Sequence, residues 1–360
     1  MNSSNFHRQI LQYAWPMILS NLTIPLLGIV DTAILGHLPE AFYLGAVALA
    51  AITFDMLFWT FGFLRMGTTA LTAQAFGANN LHEVLVTLYK SLILAVMIGG
   101  TLILAQKPLF DLAFWYLSPS PQVAHYARLY CDIRIYSAPA ALCDYVIIGW
   151  LLSVGRPRKV LLIVAVTNLT NLALDYWLVI ELGMLTEGVA LGSLLSSLSG
   201  LILGLYLVQG ATKSMPVRLD RKQLCRISGY IRLMQVNRYL LIRTLCLLFS
   251  FSFFYAQSAQ QPSATLSANS IIMTMLMVFS YGADGFANAA EVLTGRAIGA
   301  RQLDRFYAAC RATLLWFFIA SALFALVVLT MEVPIIRLLT DIRSVILETR
   351  IYWPWLLVLP

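Results

Sequence analysis

A chain of 360 residues that is 60% hydrophobic and only 11% charged, with a mean hydropathy of +0.79, lies far from soluble domains, in which about a quarter of residues carry charge. It reads as an all-α polytopic membrane protein. The formal charge of +7 does not indicate nucleic acid as a partner, because the bases sit in short loops between apolar runs. The five scattered cysteines and four unclustered histidines offer neither a disulfide framework nor metal-ligand spacing.

Apolar runs long enough to cross a bilayer, about 20 residues each, predict nine full spans and the start of a tenth. They lie at 11–36, 43–76, 84–106, 128–154, 159–181, 186–208, 233–256, 265–298 and 304–332, then from 346 to the end. The first run follows His7-Arg8 with no cleavage site, so it stays attached as a helix. Pro16 and Pro25 free backbone carbonyls within it and make it a candidate hinge. The same run holds one acid, Asp31, in Val30-Asp31-Thr32-Ala33-Ile34-Leu35-Gly36-His37. A carboxylate there costs about 2.5–3.5 kcal/mol or more. It either turns inward to a partner or ion pathway, or reaches out to the headgroups.

The second span carries Asp55, open between cavity lining and a structural pair, and the fourth carries Asp144 at mid-span. The fifth is the most polar, reading Thr167-Asn168-Leu169-Thr170-Asn171-Leu172-Ala173-Leu174-Asp175. Asn168, Asn171 and Asp175 fall three and four apart and share one helix face. Asp175 stands six residues before Glu181 and Asp31 six before His37, which places both acids roughly 9 Å inside the outer boundary. Two carboxylates in one desolvated pocket cannot both ionise without a large cost, so such a pair favours a shared proton. The plainer reading makes the asparagines interhelical glue, each worth about 0.6 kcal/mol. In the seventh span, Phe249 to Tyr255, with Phe253, forms either an apolar wall for a flat ligand or ordinary helix packing.

Lys and Arg concentrate on one side, at 156–159, 213–232 and 301–305, while the opposite loops at 37–43, 181–187 and 257–265 hold none, and those after the third and ninth spans carry some. The positive-inside rule then places the N-terminus in the cytoplasm. The chain also repeats itself. Leu71-Thr72-Ala73-Gln74-Ala75-Phe76-Gly77-Ala78 matches Leu293-Thr294-Gly295-Arg296-Ala297-Ile298-Gly299-Ala300 at a shift of 222, and Arg128-Leu129-Tyr130 meets Arg350-Ile351-Tyr352 at the same shift. An even number of spans between copies makes them parallel repeats. The expected division is an N-lobe of six helices at 1–208, a basic cytoplasmic linker at 209–232 and a C-lobe at 233–360 with three helices and the start of a fourth. On this arithmetic a complete second half runs on for roughly 70–80 residues, so the chain reads as a C-terminally truncated twelve-span protein or a natural short form. Asp31 pairs with Phe253 in the repeat, so the halves have diverged into one polar and one aromatic.

Val30 to Leu38, Leu64 to Ala78, Gly149-Trp150-Leu151-Leu152, Asn168 to Trp177 and Ala283-Asp284-Gly285-Phe286-Ala287 together resemble a multidrug and toxin extrusion (MATE) transporter of the DinF branch. The resemblance implies two six-helix lobes around a cleft and an antiporter in the bacterial inner membrane. Organic cations or other amphipathic compounds would leave as H+ or Na+ enters. It implies Asp31 as the coupling residue, Asn171 and Asp175 completing the N-lobe site, and bending of the first helix near Pro16; the residues themselves add Asn168 as a further donor or ion ligand on that face. Asp144 stands where relatives often carry asparagine. It further implies no cofactor beyond the coupling ion and a monomer whose partners are its small substrate and membrane lipid. The alternatives are a flippase for lipid-linked precursors within the superfamily, or a non-transporting polytopic membrane protein because of the truncation. The flippase cavity is usually strongly basic, whereas the first-half candidates here are acids and asparagines. No His-rich box, Asp-rich diphosphate motif or Gly-x-Ser-x-Gly elbow points to an enzyme.

Overall fold

Prolines, glycines and small polar residues decide where the apolar runs break. The computed structural model describes residues 3–35, 40–213, 215, 221–224 and 226–358; the side chains of 3–5, 24–35, 41, 221, 222 and 232 lie outside the described set. Among the described residues the chain forms helices α1 (Ser3–Leu35), α2 (Ala41–Thr60), α3 (Phe63–Gly77), α4 (Leu81–Leu104), α5 (Gln106–Leu117), α6 (Pro121–Arg134), α7 (Ala138–Ser153) and α8 (Pro157–Asp175). They are followed by α9 (Thr186–Thr212), α10 (Arg221–Leu224), α11 (Ile227–Ala259), α12 (Ser263–Gly299), α13 (Leu303–Thr330), α14 (Glu332–Leu339) and α15 (Arg343–Tyr352), with no strand. Eight described helical stretches are long and apolar enough to cross a membrane.

Three expected spans are interrupted. The second divides at Phe61-Gly62, where the Phe61 and Gly62 amides bond Phe58 O and Trp59 O at 3.0 Å, three residues back, and tighten the turn. The fourth divides at a 3₁₀ turn, Ile135–Ser137. Pro139 has no N–H to continue the ladder and its ring crowds the preceding turn. The Ser137 hydroxyl takes up the Arg134 carbonyl at 2.7 Å. After Asp175 the fifth passes into a π-helical turn, Tyr176–Glu181, closed by the Leu182 amide on Trp177 O at 3.1 Å. Such turns are frequent at functional sites.

Two short helices, α5 and α14, were not expected from span-length reasoning, because each falls well below bilayer length. The tenth segment also differs from a single run from 346: α15 ends at Tyr352 and a 3₁₀ turn, Trp353–Leu357, follows it. The basic stretch is partly helical, since α9 continues to Thr212 and α11 begins at Ile227.

The helices pack into two compact units. One holds residues 23–244 and 295–302 and is centred on α7, whose Leu142, Val146, Ile147, Trp150, Leu151 and Leu152 are fully buried. The Trp150 indole donates to Val84 O at 3.0 Å. Ser153 Oγ lies 2.9 Å from Thr69 O and 2.8 Å from Gly149 O, sharing its proton between α3 and α7. The Ser153 carbonyl accepts from the Arg296 guanidinium at 3.0 and 2.6 Å. Lipid is as apolar as leucine, so close packing and such hydrogen bonds, rather than water exclusion, hold membrane helices together.

The other unit holds residues 1–22, 245–294 and 303–360. Its core gathers Ile272, Val328, Ile336, Trp353 and Leu356, and the Trp353 indole donates to Val328 O at 2.8 Å. The first part of α1 belongs here, with Asn21 Nδ2 on Tyr281 O at 3.1 Å. The boundary between the units therefore falls inside α1, at Leu22/Thr23, between Pro16 and Pro25. α1 is helical through both prolines.

The duplication is written into the backbone. At the end of α3 the amides of Ala78, Asn79 and Asn80 bond Gln74 O, Phe76 O and Ala75 O at 2.9, 3.1 and 2.9 Å. At the end of α12 the amides of Ala300, Arg301 and Gln302 bond Arg296 O, Ile298 O and Ala297 O, each at 2.9 Å. Asn79 (φ 57°) and Arg301 (φ 55°) both take the left-handed conformation that closes such a helix end. The equivalent arginines each hold an acid, one residue out of register: Arg128–Asp111 at 2.6 Å and Arg350–Glu332 at 2.8 Å. These exposed pairs contribute about 0–1 kcal/mol each.

Candidate functional site

The fifth span meets α9 along a stripe of small residues, Gly188, Gly192, Ser196, Gly200 and Gly204, four apart. Such a stripe lets two helix backbones approach closely. Asp175 is 1% exposed and Asn171 5%, and Asn171 Nδ2 donates to Asp175 Oδ2 at 2.9 Å. A Cβ on Gly192 would collide with Asp175 Oδ1, so the carboxylate is seated directly on the α9 backbone. Tyr130 of α6, also buried, stands beside Ser193 and within electrostatic reach of Asp175 and Arg134. The arrangement gathers one carboxylate, one amide and a phenol among buried neighbours.

Asn168 faces α1. Its Nδ2 donates to Thr23 Oγ1 at 2.6 Å. The side chains of Asp31 and Pro25 lie outside the described residues, but the α1 backbone is helical through both positions. From the Thr23–Asn168 contact, Asp31 is eight residues further along α1 and Asp175 seven along α8. Those steps correspond to about 12 and 10.5 Å of helical rise.

The other candidates fall into separate surroundings. Asp144 Oδ1 is buried without a hydrogen-bond partner among the described residues. A Cβ on Gly200 would strike the Thr167 hydroxyl and come within 3.0 Å of Asp144 Oδ2, so Asp144 and Thr167 meet across the α9 stripe two turns from Gly192. Asp55 is exposed on α2 and interacts electrostatically with Arg134. Tyr145 lies within reach of Asp55, Arg134 and Arg65, which makes a second, mixed-charge cluster. Nε and Nη1 of Arg134 are buried without hydrogen bonds among the described residues, and the guanidinium sits 5.9 Å from the Phe54 ring centre. Thr170 is half-buried. Phe253 is 55% exposed and stacks on Phe249 at 6.2 Å in the other unit. Pro16 is buried, and its carbonyl accepts from Ser20 Oγ at 2.9 Å. Among the described residues no group of His, Cys, Asp and Glu could hold a metal ion.

Tyr130, Ser193 and Arg134 did not emerge from the sequence as site residues. The fourfold spacing of small residues on α9 is the signal that points to Ser193. Tyr130 and Arg134 carry no such signal, because which neighbours α6 packs against is a tertiary matter.

Apolar helices of membrane-spanning length that enclose hydrogen-bonded carboxylates and amides define a polytopic membrane protein with an intramembrane polar site. The chain belongs to the MATE family: the family profile described as MatE matches residues 16–177 and 240–359. The members of this family are membrane transporters rather than enzymes. The chain is 38% identical over 351 residues to DNA damage-inducible protein F of Escherichia coli (strain K12), covering 96% of this chain and 76% of that one. It is 24% identical over 312 residues to the probable multidrug resistance protein NorM of Caulobacter vibrioides, covering 81% of this chain and 63% of that protein. Its fold matches that of an outward-facing multidrug resistance MATE family transporter of the MOP superfamily at a TM-score of 0.85, with 19% identity over 98% of this chain and 78% of that one.

Proposed function

We propose that this protein is a cation-coupled antiporter that exports organic cations or other amphipathic compounds by alternating access, with H+ or Na+ as the coupling ion. The observation that carries the reading is the Asn171–Asp175 hydrogen bond, buried and seated on α9. It is supported by the tie between α8 and the helix that bears Asp31. The relatives named for multidrug resistance point the same way.

In this reading Asp31 and Asp175 share the coupling ion, and Asn171 and Asn168 hold the carboxylates in place. Loading the ion cancels negative charge in the first-half cavity and weakens its hold on a cationic substrate. Losing the ion to the other side restores that hold. A ligand moves such an equilibrium only by its differential affinity for the two states, and a buried carboxylate supplies that difference because its charge is poorly solvated until an ion or proton neutralises it. The stretch of α1 between Pro16 and Pro25 is the hinge. The protein is a monomer of the bacterial inner membrane with its N-terminus in the cytoplasm, a reading that rests on the Lys/Arg bias of the loops.

The test is export of a fluorescent organic cation from cells and proteoliposomes, under an imposed pH gradient and, separately, an imposed sodium gradient. Asp31→Asn and Asp175→Asn are each expected to abolish gradient-driven export while the protein still inserts. An Asp31→Asn chain that exports against a gradient with unchanged ion dependence overturns the proposal.

A further inference from the structure

A polar cavity of about 340 Å³ lies between the first turns of α4, α10 and the start of α11, with neither Asn171 nor Asp175 in its lining. Its polar lining comes from Lys90, Thr87, Glu83, Gln223, Arg226 and Ser228, and its apolar wall from Leu71, Val86 and Leu233. Lys90 is 5% exposed. Its ammonium donates a single long hydrogen bond, 3.3 Å, to Arg226 O and rests 5.3 Å from the centre of the Tyr230 ring. A Cβ on Gly229 would collide with Lys90 Nζ, so the start of α11 lies directly against the charge. Among the described residues no carboxylate oxygen lies within 4.0 Å of that nitrogen.

A buried ammonium without a counter-ion is strongly disfavoured unless an anion completes it. Glu83 is the one acid in the lining, set against Lys90 and the exposed Arg226. The basic stretch Lys213 to Lys222 adjoins in sequence. The cavity thus combines net positive charge, hydroxyl and amide donors, and an apolar side wall.

We propose that this cavity binds a phosphate group, with Lys90 and Arg226 as its cationic ligands, as carried by the headgroup of an anionic phospholipid or by a soluble phosphate. The apolar wall of Leu71, Val86 and Leu233 favours the phospholipid, since a free phosphate leaves that surface without a partner. Occupancy would clamp the start of α11 onto α4.

The full chain, reconstituted in phosphatidylcholine alone and in phosphatidylcholine with phosphatidylglycerol, tests this through the thermal unfolding midpoint. The wild type is expected to unfold at a higher temperature with phosphatidylglycerol. Lys90→Gln is expected to lose that rise, Lys90→Arg to keep it, and Lys213→Gln to keep it as the control for bulk charge. Arg226→Gln, at an exposed position, replaces Lys90→Gln if the latter fails to fold. Inorganic phosphate added to the phosphatidylcholine sample separates the sources. A rise that depends on Lys90 or Arg226 with phosphate alone assigns the site to a soluble phosphate, and one seen only with phosphatidylglycerol assigns it to lipid. The proposal is overturned if neither probe raises the midpoint. It is also overturned if the rise survives in both Lys90→Gln and Arg226→Gln, or falls equally in Lys213→Gln.

Discussion

Gly77 and Gly299 stand 222 residues apart and make reciprocal contacts: a Cβ on Gly77 would collide with the Arg296 carbonyl, and a Cβ on Gly299 with the carbonyl of Gln74, the residue that corresponds to Arg296. Gly295 meets Ala73, again its own counterpart. The two copies of one motif therefore pack against each other about a local two-fold axis, and the Arg296 guanidinium caps the crossing 4.6 Å from the centre of the Phe76 ring. Gene duplication explains this economically, because a surface complementary to its own copy satisfies both halves at once.

Reciprocity makes a prediction. Gly77→Ala and Gly299→Ala each press a methyl group onto a backbone carbonyl that cannot swing away. Each is expected to destabilise by about 1–3 kcal/mol, and the double variant by less than the sum, since separating the helices once relieves both clashes. Thermal midpoints of the two single variants and the double variant check this.

Asn171 and Asp175 form one unit, so their effects on export should not add. Removing a hydrogen bond to a charged acceptor costs about 1.5–3 kcal/mol. Asn171→Ala is therefore expected to lower export about 10- to 100-fold in an Asp175 background and to have little further effect in an Asp175→Asn background. Export rates across the four-member cycle give the answer. Additive losses would place Asn171 outside the coupling site.

Gly192 supports Asp175 from behind. Gly192→Ala forces the carboxylate off its seat, whereas Gly210→Ala on the same helix meets open space. The first is expected to reduce ion-coupled export about 10-fold or more, corresponding to about 1.4 kcal/mol or more, and the second to leave it unchanged. Equal expression of both variants, measured with export, separates this from a folding defect.

Thr23 accepts a hydrogen bond that ties α8 to α1, and Thr23→Val keeps its shape without the hydroxyl. Interhelical bonds of this kind average about 0.6 kcal/mol in membranes, so the thermal midpoint should hardly move. The ratio of loaded to unloaded conformers should shift if α1 carries the hinge. Fluorescence from a label near residue 40, recorded with and without the coupling ion, reports that ratio.

Much of this protein was legible without coordinates. Apolar run lengths set the membrane class and most of the spans, because a bilayer of fixed thickness admits few alternatives. The constant shift between Leu71–Ala78 and Leu293–Ala300 announced the duplication. The i, i+4 spacing of Asn171 and Asp175 put them on one helix face, and the structure joins them by a hydrogen bond. Tertiary structure decided what local spacing does not encode. The packing of α6 buries Tyr130 beside Ser193, and the reciprocal seating of Gly77 and Gly299 depends on two helices far apart in sequence. Asp31 was singled out by its cost in an apolar helix. Its proposed partnership with Asp175 rests on the rise of two helices from the Thr23–Asn168 contact. Periodicity reports which residues share a face; only packing determines which faces meet.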